Sequence, residues 1–432
     1  MLKPSQPLGL SSATTLVAAS MIGVGVYTTS GYTLAALGTP DRVIAAWIVS
    51  GLIAICGALG YASLASRFAE SGGEYLFLSK MLHPVAGLMA GWVSLLAGFT
   101  GAIAIAALGL ETYLSPIVFD SAEPPYQSSI AIAVVLLAAV LHTIGVRSAA
   151  RAQDLVVAIK MILIAVFIVF AVSKVGSWPG LTQPPVAKPP PFDWFVFANQ
   201  LVWISFSYAG FNAAVYIASE VRDAERNVPL ALIGGTVLVT VVYVVLNAIF
   251  VYAAPVDTIT ANQNIAQVAA TAAVSIGGDT LGLSVRLVIV ISLFTSVSAL
   301  VMTGPRVYAK MADDGFLPSW FSFGDRVPTK AIWFQAAFAI AVILGTGLTD
   351  LLGYLGLTLS VCSALTVAML FVVRLRDPKV KLILFGVPAV LYVGGTFFIA
   401  ALYGMSKPEQ AIATAVTVGL GIILYPFIGK KP

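Results

Sequence analysis

The sequence predicts an all-α, polytopic membrane protein with twelve transmembrane helices. Three observations carry that prediction. Hydrophobic residues make up 59% of the 432-residue chain and charged ones only 10%. Mean hydropathy is +0.97. Apolar runs of about 18 residues or more, each long enough to cross a bilayer, recur along the whole length. Strands of a membrane barrel would alternate polar and apolar positions over about ten residues, and these runs do not.

The predicted spans are approximately 10–37, 43–66, 84–113, 127–146, 153–173, 194–219, 229–253, 283–305, 330–347, 351–373, 382–402 and 409–428. They form one transmembrane domain over 1–428. The polar tail before the first span and the Lys430–Pro432 end are a few residues each, so no soluble domain is expected. The first span is long and lacks a small-residue cleavage site, which argues against a cleavable signal peptide. An even number of spans puts both termini on one side. Loops on that side carry 17 of the 23 Lys and Arg, and the opposite loops carry 5. The bias places both termini in the cytoplasm of a cell membrane, with the lipid bilayer as surrounding partner.

Two external loops are long. Residues 176–193 contain six prolines and are expected to be extended and semi-rigid. Residues 254–282 contain an apolar patch, 265–276, that reads as a short helix, lying either across an external vestibule or plainly on the surface. The two cysteines, Cys56 and Cys362, fall in apolar spans and read as packed thiols. The two histidines, His83 and His142, have no ligand-like spacing, so neither a metal centre nor any other cofactor is expected. A net charge of +4 is too small to argue for a nucleic-acid partner.

Lys160 accounts for the one Lys or Arg outside the loops. It stands in the apolar stretch 155–172, nine residues from Arg151, which is about 14 Å at the helical rise and about half of a hydrocarbon core of about 30 Å. An ammonium at that depth costs about 3 kcal/mol or more on insertion scales, so it needs a partner inside the protein.

Two spans carry signs of interruption. The first reads Met21-Ile22-Gly23-Val24-Gly25-Val26-Tyr27, with its glycine pair near mid-span. Alone, such a pair reads equally as a site of close helix packing. The sixth reads Ser205-Phe206-Ser207-Tyr208-Ala209-Gly210-Phe211-Asn212, with Gly210 ten residues from Glu220. Breaks in the first and sixth helices are the pattern of two five-helix repeats inverted relative to each other; here these are 10–173 and 194–373, followed by two more helices in 382–428. A break exposes N–H groups that attract a carboxylate and carbonyls that attract an ammonium or metal cation. An α-amino acid carries both charges on one carbon. The eighth span adds hydroxyls at Ser292, Thr295, Ser296 and Ser298, and at least two of them are expected to bond back to their own backbone. Lys160 is expected to reach a carbonyl of the first helix and a hydroxyl of the eighth, Ser296 or Ser298.

The motifs resemble the amino acid–polyamine–organocation superfamily, and more narrowly its L-type and cationic amino acid transporter branches. The resemblance rests on the order and spacing of several short stretches: the first-span motif above; Glu70-Ser71-Gly72-Gly73-Glu74-Tyr75; Gly145-Val146-Arg147-Ser148 running toward Lys160; Tyr208-Ala209-Gly210-Phe211-Asn212 with Glu220-Val221; and Gly304-Pro305-Arg306-Val307-Tyr308 followed by Asp314-Gly315-Phe316-Leu317-Pro318. It implies a leucine-transporter-like fold with discontinuous helices 1 and 6 and alternating access around a central amino acid site. It further implies that Gly23, Val24 and Gly25 hold the substrate carboxylate, and that Phe206, Ser207 and Ala209 line the amine and side-chain pocket, with Phe206 as a gate. Ile22 and Gly210 complete the expected substrate-binding residues. Lys160 looks like the fifth-helix lysine that takes the place of sodium in sodium-coupled relatives. Two departures bear on the substrate: Val24 stands where Ser or Ala is common, narrowing the space beside the carboxylate, and Phe211 where many members have Trp. The Glu70–Tyr75 stretch reads first as a structural cytoplasmic turn and second as a gate contact.

The implied activity is amino acid exchange or proton-coupled uptake, independent of sodium. No acidic residue lies near the sixth-span break, and the third span is uncharged until Glu111. A buried cationic substrate would need a counter-charge, so neutral amino acids are favoured over arginine, lysine or polyamines. A membrane amino acid sensor with little flux is the rival reading. An ion channel lacks a filter sequence, and an intramembrane enzyme lacks clustered His, Cys or paired carboxylates at midplane depth. Nothing in the sequence marks an obligate partner subunit.

Overall fold

The fold follows from long apolar segments punctuated by helix start and stop signals. The computed structural model describes residues 8–68, 70–119, 126–144, 149–182, 189–261, 265–313, 315–322, 328–376, 386–423 and 425–427. The segments Met1–Pro7 and Gly145–Ser148 and the residue Asp314, all used in the sequence reading, lie outside the described residues.

The first predicted span is two helices, α1 (Leu10–Met21) and α2 (Val24–Leu37), bent by 42° at the junction. α2 ends at Gly38 in a left-handed cap whose N–H reaches Leu34 O. α3 (Pro40–Ala65) starts on proline with Thr39 Oγ1 accepting from Arg42 N. α4 (Gly73–Met81) is a short helix that begins within the Glu70–Tyr75 stretch expected to be a turn. α5 (Pro84–Val93) runs through a π-helical stretch, Ser94–Gly101, into α6 (Ala102–Val118). α7 (Ser129–Thr143) begins on a buried carboxylate: Glu111 Oε2 of α6 accepts from Ile130 N at 2.9 Å and Ala131 N at 3.0 Å. That anion sits where the helix dipole favours it. α8 (Ala149–Ser173) carries Lys160.

The proline-rich loop is not uniformly extended. It holds a 3-10 turn, Val175–Ser177, and a helical turn, α9 (Pro179–Thr182), because proline at the first helical position is pre-organised for a turn. Its later part is pinned where Arg42 Nη1 donates to Pro190 O at 2.8 Å. α10 (Trp194–Tyr208) starts on Asp193, whose Oδ1 accepts from Phe195 N. A 3-10 segment, Ala213–Glu220, continues it. α11 (Ala224–Tyr252) and the short α12 (Val256–Thr260) follow. The apolar patch at 265–276 is helical: a 3-10 turn, Ile265–Gln267, leads into α13 (Val268–Asp313), which kinks at Gly277 and Gly278. This turn lies against α2, where a Cβ built on Gly31 would stand 1.8 Å from Ile265 O. α14 (Thr329–Gly345), α15 (Leu348–Arg376), α16 (Gly386–Ser406) and α17 (Pro408–Ile423) complete the described chain.

Among the described residues, seven helices are long and apolar enough to cross a membrane, and α1 with α2 makes an eighth as a bent pair. The four remaining predicted spans coincide with shorter apolar helices, Ser129–Thr143, 157–173, Thr329–Gly345 and Pro408–Ile423. The chain is a multi-pass membrane protein. Small residues set its close helix contacts: a Cβ on Gly60 of α3 would meet Val367 of α15 at 2.6 Å, and one on Gly235 of α11 would meet Val17 of α1 at 2.7 Å. At the face that bears the N-terminal end of α1, Leu8 pairs with Val221 in a parallel bridge. Leu8 N donates to Glu220 O and Arg222 N to Leu8 O, each at 2.9 Å. Glu220 thus contributes its backbone at this point.

Candidate functional site

Both expected helix breaks are present, and they pack against each other. Between α1 and α2, Ile22 (φ −77°, ψ 92°) and Gly23 (φ −128°, ψ −158°) are extended. Helical geometry leaves the last carbonyls of α1 and the first N–H groups of α2 without partners in their own helix. α10 ends at Ala209 (ψ 144°), and Gly210 follows at φ +96°. A Cβ on Gly210 would lie 2.7 Å from Ser20 O of α1, and one on Gly25 of α2 would lie 2.2 Å from Ser207 Oγ of α10. Glycine is needed at 210 for both conformation and space. At 25 the requirement is space alone.

Lys160 is 4% exposed, and its Nζ donates to Ile22 O at 3.0 Å. The opposite face of α8 presents Ile162, Val166 and Val169 outward, so the ammonium points into the bundle and the lipid-facing side is apolar. The expected hydroxyl from the eighth span is not its partner. Ser296 Oγ donates to Ser292 O at 3.0 Å within α13, and Ser298 Oγ bonds His142 Nε2 of α7 at 2.8 Å. Ser296 bonds back to its own helix, as hydroxyls in membrane helices often do, and Ser298, two residues or about 200° further round, meets α7 instead.

Tyr243 of α11 joins the two breaks. Its hydroxyl stands 2.6 Å from Met21 O and 3.0 Å from Ser207 O. Behind it, Trp47 of α3 packs edge-on to Tyr243 with ring centroids 5.4 Å apart, and Tyr208 donates to Trp47 O at 3.2 Å. A buried relay continues outward: Trp47 Nε1 donates to Ser30 Oγ at 2.7 Å, Ser30 Oγ to Asn247 Oδ1 at 2.5 Å, and Asn247 Nδ2 to Tyr243 O at 2.8 Å. Sequence reading missed Tyr243, Asn247 and Trp47. A polar atom on a residue that also packs well is hidden in an apolar run; the only signal was an Asn within the seventh span.

The other expected site residues fall as follows. Ser207 is buried, and its Oγ has no partner in the structure, an orphan that a polar ligand could satisfy. Ala209 and Gly210 form the break itself. Phe206 is half-buried on α10. The Val24 side chain seats in a notch of α6, where a Cβ on Gly109 would meet its Cγ2 at 2.2 Å. Its bulk is therefore taken up by α6, not by the space beside the break as expected. The site thus offers helix-terminal N–H groups, carbonyls, one ammonium and an orphan hydroxyl, with no carboxylate among these groups. Such a set can hold a zwitterion.

The chain matches the family described as amino acid permease over residues 8–425. The Large neutral amino acids transporter small subunit 2 of Homo sapiens is 26% identical over 392 residues, covering 86% of this chain and 70% of that protein. The Serine/threonine exchanger SteT of Bacillus subtilis is 26% identical over 430 residues, covering 96% and 94%. The human Asc-type amino acid transporter 1 is 25% identical over 447 residues, covering 98% and 82%. The family match spans both broken helices and the lysine between them, and the chain belongs to the amino acid permease family.

Proposed function

We propose that this protein carries neutral amino acids across the cell membrane by alternating access, without sodium, by exchange or with a coupled proton. The observation that carries the reading is the Lys160 ammonium, 3.0 Å from the Ile22 carbonyl at the helix break. A fixed positive charge there does the work that a bound cation would otherwise do, holding the unwound carbonyl end of α1. The substrate carboxylate is assigned to Ile22, Gly23, Val24 and Gly25, where the start of α2 directs N–H groups and a positive dipole end into the gap. The amine and side chain are assigned to Phe206, Ser207, Ala209 and Gly210, with Phe206 as the gate. The names of relatives, a large neutral amino acids transporter and a serine/threonine exchanger, support a neutral substrate. So does the lack of a carboxylate among these groups.

The same reading takes the twelve apolar segments as twelve crossings in one domain, 1–428. The first five (10–173) and second five (194–373) are inverted repeats, with two helices after them (382–428) and both termini in the cytoplasm. Counterflow in proteoliposomes with a panel of radiolabelled amino acids, with and without sodium or pH gradients, tests it. Accumulation of neutral amino acids without sodium is expected. Displacement by arginine or a polyamine alone would reject it, and binding without flux would favour a sensor.

A further inference from the structure

Glu74 is a buried charge that the substrate site does not use. It sits on α4, 5% exposed. Its Oε1 accepts from Tyr61 of α3 at 2.7 Å. Asn212 Nδ2 donates to the same oxygen, and the Tyr216 hydroxyl donates to Oε2. Among the described residues, the ion pairs are Lys80 with Glu70 and Arg222 with Asp223, so none reaches Glu74. Two of the three donors lie just beyond the break of α10: Asn212 leads into the 3-10 segment, and Tyr216 lies within it. A second tie joins the turn before α4 to the same segment. The Ser71 and Ser219 hydroxyls are 2.5 Å apart, and Ser219 N donates to Ser71 Oγ at 3.0 Å.

A carboxylate strengthens each hydrogen bond it accepts relative to a neutral acceptor, and an ionised carboxylate stripped of donors in an apolar interior is costly. Glu74 therefore holds the segment after the break far more firmly than the serine pair does. Any motion that parts this segment from α4 removes two of its three donors at once.

We propose that Glu74 is the latch of the cytoplasmic gate, a positioning residue whose carboxylate fastens the segment after the α10 break to α4 and so sets how often the site opens inward. The proposal rests on the alternating-access reading above, and its test separates the two. Cys362 of α15 is buried, and α15 packs against α4, which carries Glu74. In the full-length protein in nanodiscs, with Cys56 replaced by alanine, its labelling by an impermeant maleimide reports opening on that side. Tyr32 of α2, which packs edge-on to Trp203 at 5.9 Å, becomes the outer reporter as Tyr32→Cys with both native cysteines removed.

Glu74→Gln and Tyr216→Phe are each expected to speed Cys362 labelling by about tenfold, equivalent to about 1.4 kcal/mol. They should also slow labelling at position 32 and change kcat for exchange with KM unchanged. Lys80→Gln, which breaks an exposed pair, should leave both reporters unchanged. Rates equal to the parent's in both variants would overturn the latch. So would faster labelling at both reporters together, because general loosening opens both sides. If Glu74→Gln fails to fold, Tyr216→Phe, which removes one hydroxyl, carries the test alone. Reciprocal reporter shifts without measurable exchange would support the latch and overturn the transport reading.

Discussion

The Tyr243 hydroxyl lies 2.6 Å from the carbonyl oxygen of Met21, the last residue of α1, and 3.0 Å from that of Ser207, one residue before the end of α10. One side chain on an unbroken helix thus touches both broken ones. Its single proton serves one carbonyl at a time, so a shift of either half-helix is felt by the other.

Tyr243→Phe is therefore expected to keep the fold while loosening both breaks. The direct loss is about 0.5–1.5 kcal/mol, the net worth of a typical hydrogen bond. Thermal unfolding in detergent should show a modest decrease, and counterflow should fall by more than that decrease explains. Full activity in the variant would mean that the tie has no part in the cycle.

The two glycines of the first break make opposite demands. A Cβ at 25 meets Ser207 Oγ at 2.2 Å and Ser207 Cα at 3.0 Å, whereas one at 23 meets nothing within 4 Å. Gly25→Ala should cost about 1–3 kcal/mol through overpacking, and Gly23→Ala much less. Thermal stability of the two purified variants checks this. If Gly23→Ala stays stable but loses uptake, the space beside residue 23 belongs to the substrate.

Glu111 holds the start of α7 through two backbone N–H groups. Glu111→Ala should destabilise by about 0.5–2 kcal/mol, as for loss of a helix cap. Glu111→Gln, which retains one acceptor oxygen, should recover part of it. Equal stability of all three proteins in a thermal-shift series would contradict the capping role.

The Lys160 contact and both helix breaks of the candidate site were legible because their residues violate their surroundings. A lysine in an apolar span must find a partner, and a Gly-x-Gly is informative when paired with a second glycine-bearing break such as that at Gly210. Tyr243 was illegible for the opposite reason, since tyrosine suits an apolar run and its hydroxyl betrays no direction. Glu74 stands in the Glu70–Tyr75 motif, yet sequence alone does not say that α4 meets the segment after the α10 break. Ser296 and Ser298 were less legible, because sequence does not say which hydroxyl bonds back to its own helix and which turns to a neighbour: Ser296 reaches Ser292 O, and Ser298 reaches His142 of α7.

The most direct test of the central claim is counterflow of a radiolabelled neutral amino acid into proteoliposomes of Lys160→Ala beside the parent protein, both monodisperse before reconstitution. Loss of the ammonium leaves the Ile22 carbonyl without its buried partner, and uptake is predicted to vanish or fall to a small residue. Uptake kinetics identical to the parent's would contradict the account.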